Sequence, residues 1–385
     1  MKPENFENGR MIITNARIVT QSEVVEGTIF IETGRIEEVV EGAVKRHPGT
    51  VDAGGRHILP GLVDVHGDDL ETEICPRPFA RLPADYALIN LDRKIAACGI
   101  TTKLHAISNY EDVLKDRDPQ RSKEILASLA KLREKLLVRH YIHARCEIRT
   151  GLAEIFDVID DSCVKLVSLM DHFPGQGQFK SYDNFRTYYN QAYGLADGEI
   201  EDLVRSKGEH DVVDNINRIL AGARKRGVPI ASHDDDSPEK VDMVFGLGAE
   251  ISEFPVTKDA ARRAKELGMR VAMGAPNAIR GKSSTGNLSA LEALKEGLVD
   301  LLCSDYYPAS MLYAPFFLAD RGVLDLVEAT KLVSLNPARA ILMAGEIGSI
   351  EAGKRADLIV VDRIEGVPVV IRTIFGGETI YSTAL

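Results

Sequence analysis

The chain has 385 residues, 44% of them hydrophobic and 27% charged, so it has the apolar mass for a sizeable core and is neither collagen-like nor wholly disordered. Its formal net charge of -11 excludes a general nucleic-acid or anionic-membrane surface, which needs a basic excess. No signal-peptide pattern opens the chain and no stretch of about 18 uninterrupted apolar residues follows; five scattered cysteines in no zinc-finger or CxxC spacing fit a cytoplasmic protein without a disulfide framework.

From Met11 to about Leu59, short apolar runs alternate with Gly or charged turns, which predicts small antiparallel strands. The long middle changes character. Eight short β-like runs ending in polar residues alternate with segments of helical period: LVDVHGD, ITTKLHA, YIHARCE, VKLVSLMDH, PIASHDD, EISEFP, RVAMGAPN and LLCSDYY. Eight parallel strands with helices between them close a (β/α)8 TIM-like barrel. Among those helices, Ile125, Leu126, Leu129, Leu132, Leu136 and Leu137 share one face, Thr257 can cap a charged helix that Gly268 stops, and Asn336-Pro337 reads as an N-cap followed by Pro at the first helical position. After about Ile347 the short-strand pattern returns. The expected organisation is an α/β chain in which residues 1–59 and 347–385 build one small discontinuous β-sandwich and residues 60–346 form the barrel.

Barrel enzymes place their sites at the C-terminal strand ends, and here those ends are rich in metal-binding types. His66 and Asp68, two residues apart on a strand, are expected on one face, as are His143, Arg145 and Glu147; the fourth run ends in Asp171-His172, the fifth in His233-Asp234-Asp235, and the eighth offers Asp305. Imidazole with carboxylate suits zinc, manganese or iron, and more donors than one tetrahedral ion needs point to two ions. A single His-x-Asp is a common chance pattern. The weight lies in the repetition of such residues at strand ends.

Ile58-Leu59-Pro60-Gly61-Leu62-Val63-Asp64-Val65-His66 and Gly353-Lys354-Arg355-Ala356-Asp357-Leu358 resemble the start of the first barrel strand and the C-terminal return of the amidohydrolase superfamily. LVSLMDHFPGQGQF, ASHDD, GAPNAIRGKSSTGN and CSDYYPASML resemble, within it, the α-D-ribose 1-methylphosphonate 5-triphosphate diphosphatase subfamily of the carbon-phosphorus lyase pathway. The resemblance implies a barrel of the metal-dependent hydrolase type that cleaves a ribosyl 5-triphosphate to the 5-phosphate and diphosphate. It implies His66 and Asp68 as first-strand ligands, Glu147 as a bridging carboxylate, His172 and His233 as further ligands, and Asp305 as ligand and acid/base. Zinc is the first choice of metal, with manganese or iron as alternatives. Most of the superfamily has His-x-His in the first strand; Asp68 in place of the second His implies a harder, oxygen-rich shell for one ion. The chain departs from the subfamily just beyond, reading Gly67-Asp68-Asp69-Leu70-Glu71 where an Asn is usual soon after the Asp.

Bound divalent ions can lower the pKa of water from 15.7 to about 7, so the implied mechanism is attack by metal-bound hydroxide with Asp305 accepting its proton. The leaving diphosphate needs cations, and Arg280, Lys282, Ser283 and Ser284 in the glycine-flanked segment after the seventh strand are candidates, with Asn277 beside them and Arg77, Lys103 and Arg145 adding charge. Of Tyr306 and Tyr307, alternation puts Tyr306 toward substrate and the other toward packing. Gly175-Gln176-Gly177-Gln178 reads as a substrate loop, and Cys146 and Cys303 as buried core thiols. The partner is thus a small phosphorylated ribosyl substrate, with no nucleic acid or membrane and with a homodimer left open. Two other readings stay open: amide or cyclic-amide hydrolysis at the same metal site, since fold does not fix substrate, and a metal-free binding protein on the same fold.

Overall fold

The computed structural model describes residues 10–44, 50–77, 80–108, 119–149, 162–171, 181–207, 211–283 and 286–383. The N-terminal part forms β1 (Arg10–Val19), β2 (Val24–Glu32), β3 (Arg35–Glu41), β4 (Thr50–Asp52) and β5 (His57–Pro60). The eight apolar runs of the middle become β6 (Leu62–Gly67), β7 (Ile100–Ser108), β8 (Arg139–Glu147), β9 (Val164–Met170), β10 (Ile230–His233), β11 (Ile251–Glu253), β12 (Arg270–Gly274) and β13 (Leu301–Cys303). They pair in chain order, each parallel to the next. A bridge between Gly67 and Asp305 joins the first strand to the segment after the last, which closes the sheet on itself. Three strands follow: β14 (Leu358–Ile364), β15 (Val367–Phe375) and β16 (Glu378–Ser382).

The two chain ends share one mixed sheet, in the order β16-β15-β14-β5-β1-β2-β3 with β4 on β1. They meet where β14 runs antiparallel to β5, Leu358 opposite Pro60 and Val361 opposite His57. Alternation explains the packing: Met11, Ile13, Ile18, Ile29, Ile31, Ile58, Leu358, Val360 and Ile374 all face one apolar cluster.

Inside the barrel, Val63, Val65, Leu104, Leu166, Ala231, Ile251, Ala272, Leu301 and Cys303 form a second cluster, closed from below by Ala338, Ile341 and Ile347, with Tyr141 of β8 packed against it. The opposite strand faces pack on the helices through Leu62, Ile107, Ala144, Val167, Leu169, Ile230, Val271 and Leu302. Full burial of each Leu, Ile or Val is worth about 1.5–3 kcal/mol. This two-sided burial gives the strands their near-continuous apolar text.

Helices α1 (Asp69–Ile74), α2 (Ala84–Ala97) and α3 (Pro119–Leu132) follow the first two strands. The helical face predicted through Leu137 stops earlier, passing into a 3-10 turn at Arg133–Lys135, because buried Asp92 of α2 takes the N–H groups of Leu137 and Val138. Thr257 caps its helix through Ala260 N, and Gly268 follows that helix at φ 77°. Asn336 does not cap: Ser334 precedes the helix Leu335–Ala340, and the Asn336 amide is drawn instead to Asp300 O at 2.8 Å. The five cysteines are free thiols, Cys146 and Cys303 among the buried ones. Among the described residues no helix is long and apolar enough to cross a membrane.

Candidate active site

The C-terminal ends of the barrel strands gather His66, Glu147, His233 and Glu253 from β6, β8, β10 and β11, all buried, with half-buried Asp305 two residues past β13. Ligand atoms of His66, His233 and Glu253 all lie within 4.8 Å of one another. Glu253 Oε1 accepts from His66 Nδ1 at 2.8 Å, while its Oε2 is buried without a hydrogen-bond partner among the described residues, 3.7 Å from His143 Nε2. Phe254 stands edge-on to both imidazoles, with ring centroids 5.0 Å from His66 and 5.3 Å from His233.

Burial, then the charges of Arg145, His233 and Lys103, hold His66 well below the ordinary imidazole range. A neutral imidazole is the form that ligates a metal. His143 is pushed down to about 3, by burial first and against the pull of Glu253. Val65 O can only accept, so His143 Nδ1 donates to it at 3.1 Å and Nε2 is left to accept from Ser168 at 3.0 Å. With both nitrogens engaged, His143 supports the group from beneath. An imidazole held neutral beside a carboxylate with an unpartnered oxygen is a donor set that a zinc, manganese or iron ion fits.

The backbone turns abruptly at three of these strand ends. Asp234, Phe254 and Asp305 have φ of 54°, 54° and 59°, a left-handed conformation that non-glycine residues adopt at a cost of about 1–3 kcal/mol each. Hydrogen bonds to the neighbouring strand hold each in place: Asp234 N to Glu253 O, Phe254 N to Ala272 O, and Asp305 N to His66 O. The Asp305 carboxyl is pushed up to about 7, by burial first and then by Asp68, against Arg145 and His233. Such a group can exchange a proton near neutrality.

Arg145, 7% exposed, points from β8 into the same space, and its charge reaches His66, His143 and Asp305. Among the described residues its hydrogen bond is from Nε to Met170 Sδ at 3.1 Å, and a thioether is a weak acceptor. A buried guanidinium with so weak an acceptor has donors suited to an anion's oxygens.

Other expected residues are placed differently. Asp68 stands where β6 gives way to α1: it is half-buried, its N–H on Asp305 O at 2.9 Å is one of the two bonds of the Gly67–Asp305 bridge, and its charge bears on the Asp305 carboxyl. Lys103 faces away from any substrate, fully buried between Asp64 and Asp69. Asn277 lies in the helix Ala275–Arg280 rather than a loop, and its amide is spent on Leu288 O and Ala290 N, pinning the segment that follows. Arg77, Arg280 and Lys282 are exposed and Ser283 is half-buried. Tyr306 and Tyr307 are both exposed, 51% and 59%, because β13 has ended at Cys303 and strand alternation no longer applies. Asp171 pairs with Arg149, and buried Asp235 accepts from Ser232 and Ser252, so neither carboxylate joins the group. His172, Ser284 and the Gly175–Gln178 segment lie outside the described residues. Glu253 is the addition. Its signal was available as the acidic end of EISEFP, the sixth run.

The amidohydrolase family model matches residues 135–380. The chain is 38% identical over 363 residues to the alpha-D-ribose 1-methylphosphonate 5-triphosphate diphosphatase of Escherichia coli (strain K12), covering 92% of this chain and 95% of that one. It is 23% identical to the dihydroorotase of Trichlorobacter lovleyi, covering 91% and 89%. Among solved structures it is similar to an N-acetyl-D-glucosamine-6-phosphate deacetylase from Mycobacterium smegmatis, with TM-score 0.63, 15% identity, and 97% of this chain and 100% of that one covered. A beta-aspartyl dipeptidase from Fervidobacterium islandicum AW-1 gives TM-score 0.64 at 17% identity, covering 97% of each. At those identities the two structures bear on the fold alone.

Proposed function

The chain belongs to the amidohydrolase family, and from that premise we propose that it is a metal-dependent hydrolase cleaving α-D-ribose 1-methylphosphonate 5-triphosphate to the 5-phosphate and diphosphate. The observation that carries the substrate is the 38% identity to the E. coli diphosphatase over nearly the whole of both chains. Arg145, whose hydrogen bond among the described residues is to a thioether, supports an anionic substrate independently of that likeness.

His66, His233 and Glu253 would hold a divalent ion, zinc first, and Asp68, Glu147 and Asp305 bring oxygen donors at neighbouring strand ends for a second. An ion held there supplies Lewis acidity toward phosphoryl oxygens and acidifies water. The chain's own residues do the rest. Asp305, with its carboxyl near neutrality, takes the proton of the attacking water and returns it as diphosphate leaves. Arg145 offers two parallel N–H donors to phosphoryl oxygens, the fork that suits phosphate. Exposed Arg280 and Lys282, with Ser283, Arg77 and Tyr306, stand ready for the outer phosphates and the sugar.

The decisive assay incubates metal-loaded protein with the ribosyl methylphosphonate triphosphate and with ATP, following diphosphate release by phosphorus NMR, and separately with dihydroorotate, following ring opening by the loss of its ultraviolet absorbance. Diphosphate from the first substrate is expected. Turnover of dihydroorotate alone would favour cyclic-amide hydrolysis, the reading to which the dihydroorotase likeness points. Arg280→Ala with Lys282→Ala should depress triphosphate turnover, and no change would remove these two cations from the reading.

A further inference from the structure

We propose that Lys103 is a positioning residue: a buried cation that clips together the two strand ends carrying His66 and Asp305 and so sets the geometry of the metal group. The proposal rests on the metal reading of His66, His233 and Glu253 but not on the identity of the substrate.

The barrel closes between its first and last strands, and that seam is thin. The Gly67–Asp305 bridge carries it, with Asp305 N on His66 O at 3.0 Å and Asp68 N on Asp305 O at 2.9 Å. The residues that the seam must align are therefore the site residues themselves. Directly behind it stands Lys103 of β7. Its ammonium meets Asp64 Oδ2 of β6 at 2.6 Å, Asp69 Oδ1 of α1 at 2.8 Å and Ser304 Oγ, just past β13, at 3.0 Å. Asp64 Oδ1 completes the clip by accepting from Ser304 N at 3.0 Å. Four elements are joined at one atom.

Lys103, Asp64 and Ser304 are each 0% exposed, and Asp69 is 6% exposed. Lysine is almost never fully buried unless paired. Burial pulls the ammonium toward neutrality, but Asp64 and Asp69 more than offset it and hold the proton on. The ammonium donates to Asp64 and Ser304 and lies in ion-pair contact with Asp69, and at 0% exposure it offers no face to a substrate phosphate.

Two features of the local sequence follow from this placement. A Cβ at Gly67 would lie 2.2 Å from Lys103 Nζ, 2.5 Å from Ser304 Oγ and 2.8 Å from Asp69 Oδ1, so only glycine between His66 and Asp68 lets the ammonium reach the seam. Asp69, the acid where the related subfamily usually has an Asn nearby, is turned inward to Lys103, 6% exposed, rather than toward a polyanionic substrate.

The test uses the full chain loaded with Co2+, whose visible absorption reports ligand geometry whether or not the substrate is known. Lys103→Met should weaken Co2+ binding at least tenfold and change the d–d spectrum, and Ser304→Ala should act in the same direction to a smaller extent. Thr28→Val is the control for structural damage alone. It opens an equally buried network with Thr14 and Gly42 O in the sheet built by the chain ends, so it should lower Tm and leave the cobalt spectrum as it was. A folded Lys103→Met protein with wild-type cobalt affinity and spectrum overturns the proposal. If that variant does not fold, an unchanged spectrum in Ser304→Ala overturns it instead. Wild-type protein that binds no cobalt overturns the metal reading and this proposal with it, whereas cobalt binding without triphosphate turnover removes only the substrate.

Discussion

Replacing Glu253 with Gln separates the two things this residue does to stability. The substitution keeps the side-chain shape, and its amide oxygen can still accept from His66 Nδ1, now 2.8 Å from Glu253 Oε1. It removes the charge on a group whose second oxygen is buried without a hydrogen-bond partner among the described residues. The amide nitrogen that replaces Oε2 is orphaned in its turn, but an orphaned charge costs more than the about 1–3 kcal/mol of an orphaned neutral group, so in the presence of chelator the variant should be more stable than wild type by that difference. At about 2–4 °C per kcal/mol, or less in a chain of this size, Tm rises by a few degrees. Divalent metal reverses the order. Ligand binding to the folded state adds about 2.7 kcal/mol at a free concentration of 100 Kd, an increment that wild type gains and a variant lacking its only carboxylate in the donor group largely forgoes. The assay is a pair of thermal melts for each protein, with chelator and with zinc. Equal zinc-induced increments in the two proteins would show that Glu253 is not a ligand, and a destabilised variant in chelator would refute the orphan-oxygen argument itself.

Arg145→Met should lower kcat/KM for the triphosphate roughly 10- to 100-fold, from the about 1.5–3 kcal/mol of a hydrogen bond to a charged group, and initial rates that do not change would end the anion-receptor role. Asp305→Asn should reduce kcat by roughly 10²–10⁴, the range for loss of a general acid or base, with diphosphate release as the readout; retention of full activity would assign the proton transfer elsewhere. Asn277→Ala removes two hydrogen bonds that pin the segment before Leu288 and Ala290, so it should cost about 1–3 kcal/mol in a denaturant melt, and a neutral result would mean the segment holds without it.

Much of the architecture is legible in one dimension because it depends on local period and burial. The eight apolar runs became β6 to β13 because a parallel strand buried on both faces must be apolar along its length, and that can be read without knowing its neighbours. Thr257 capped its helix because the capping bond spans three residues. His66, His233 and Asp305 were recognisable as candidates because they end such runs. Where the outcome depended on partners distant in sequence, spacing was silent or misleading. Lys103 at a strand end looks like a substrate cation, and only the approach of Asp64, Asp69 and Ser304, the last 201 residues away, shows its charge to be spent internally. Asn277 was drawn off by Leu288 and Ala290. Glu253 was passed over as one acid among 58 acidic residues, and its standing came from His66, 187 residues earlier. The sequence by itself therefore determined which segments are strands and which ends carry chemistry, since those follow from alternation and burial along the chain. Closure of the barrel decided which carboxylate meets which imidazole and which cation is already paired, because a charge's role depends on what lies within a few ångströms of it.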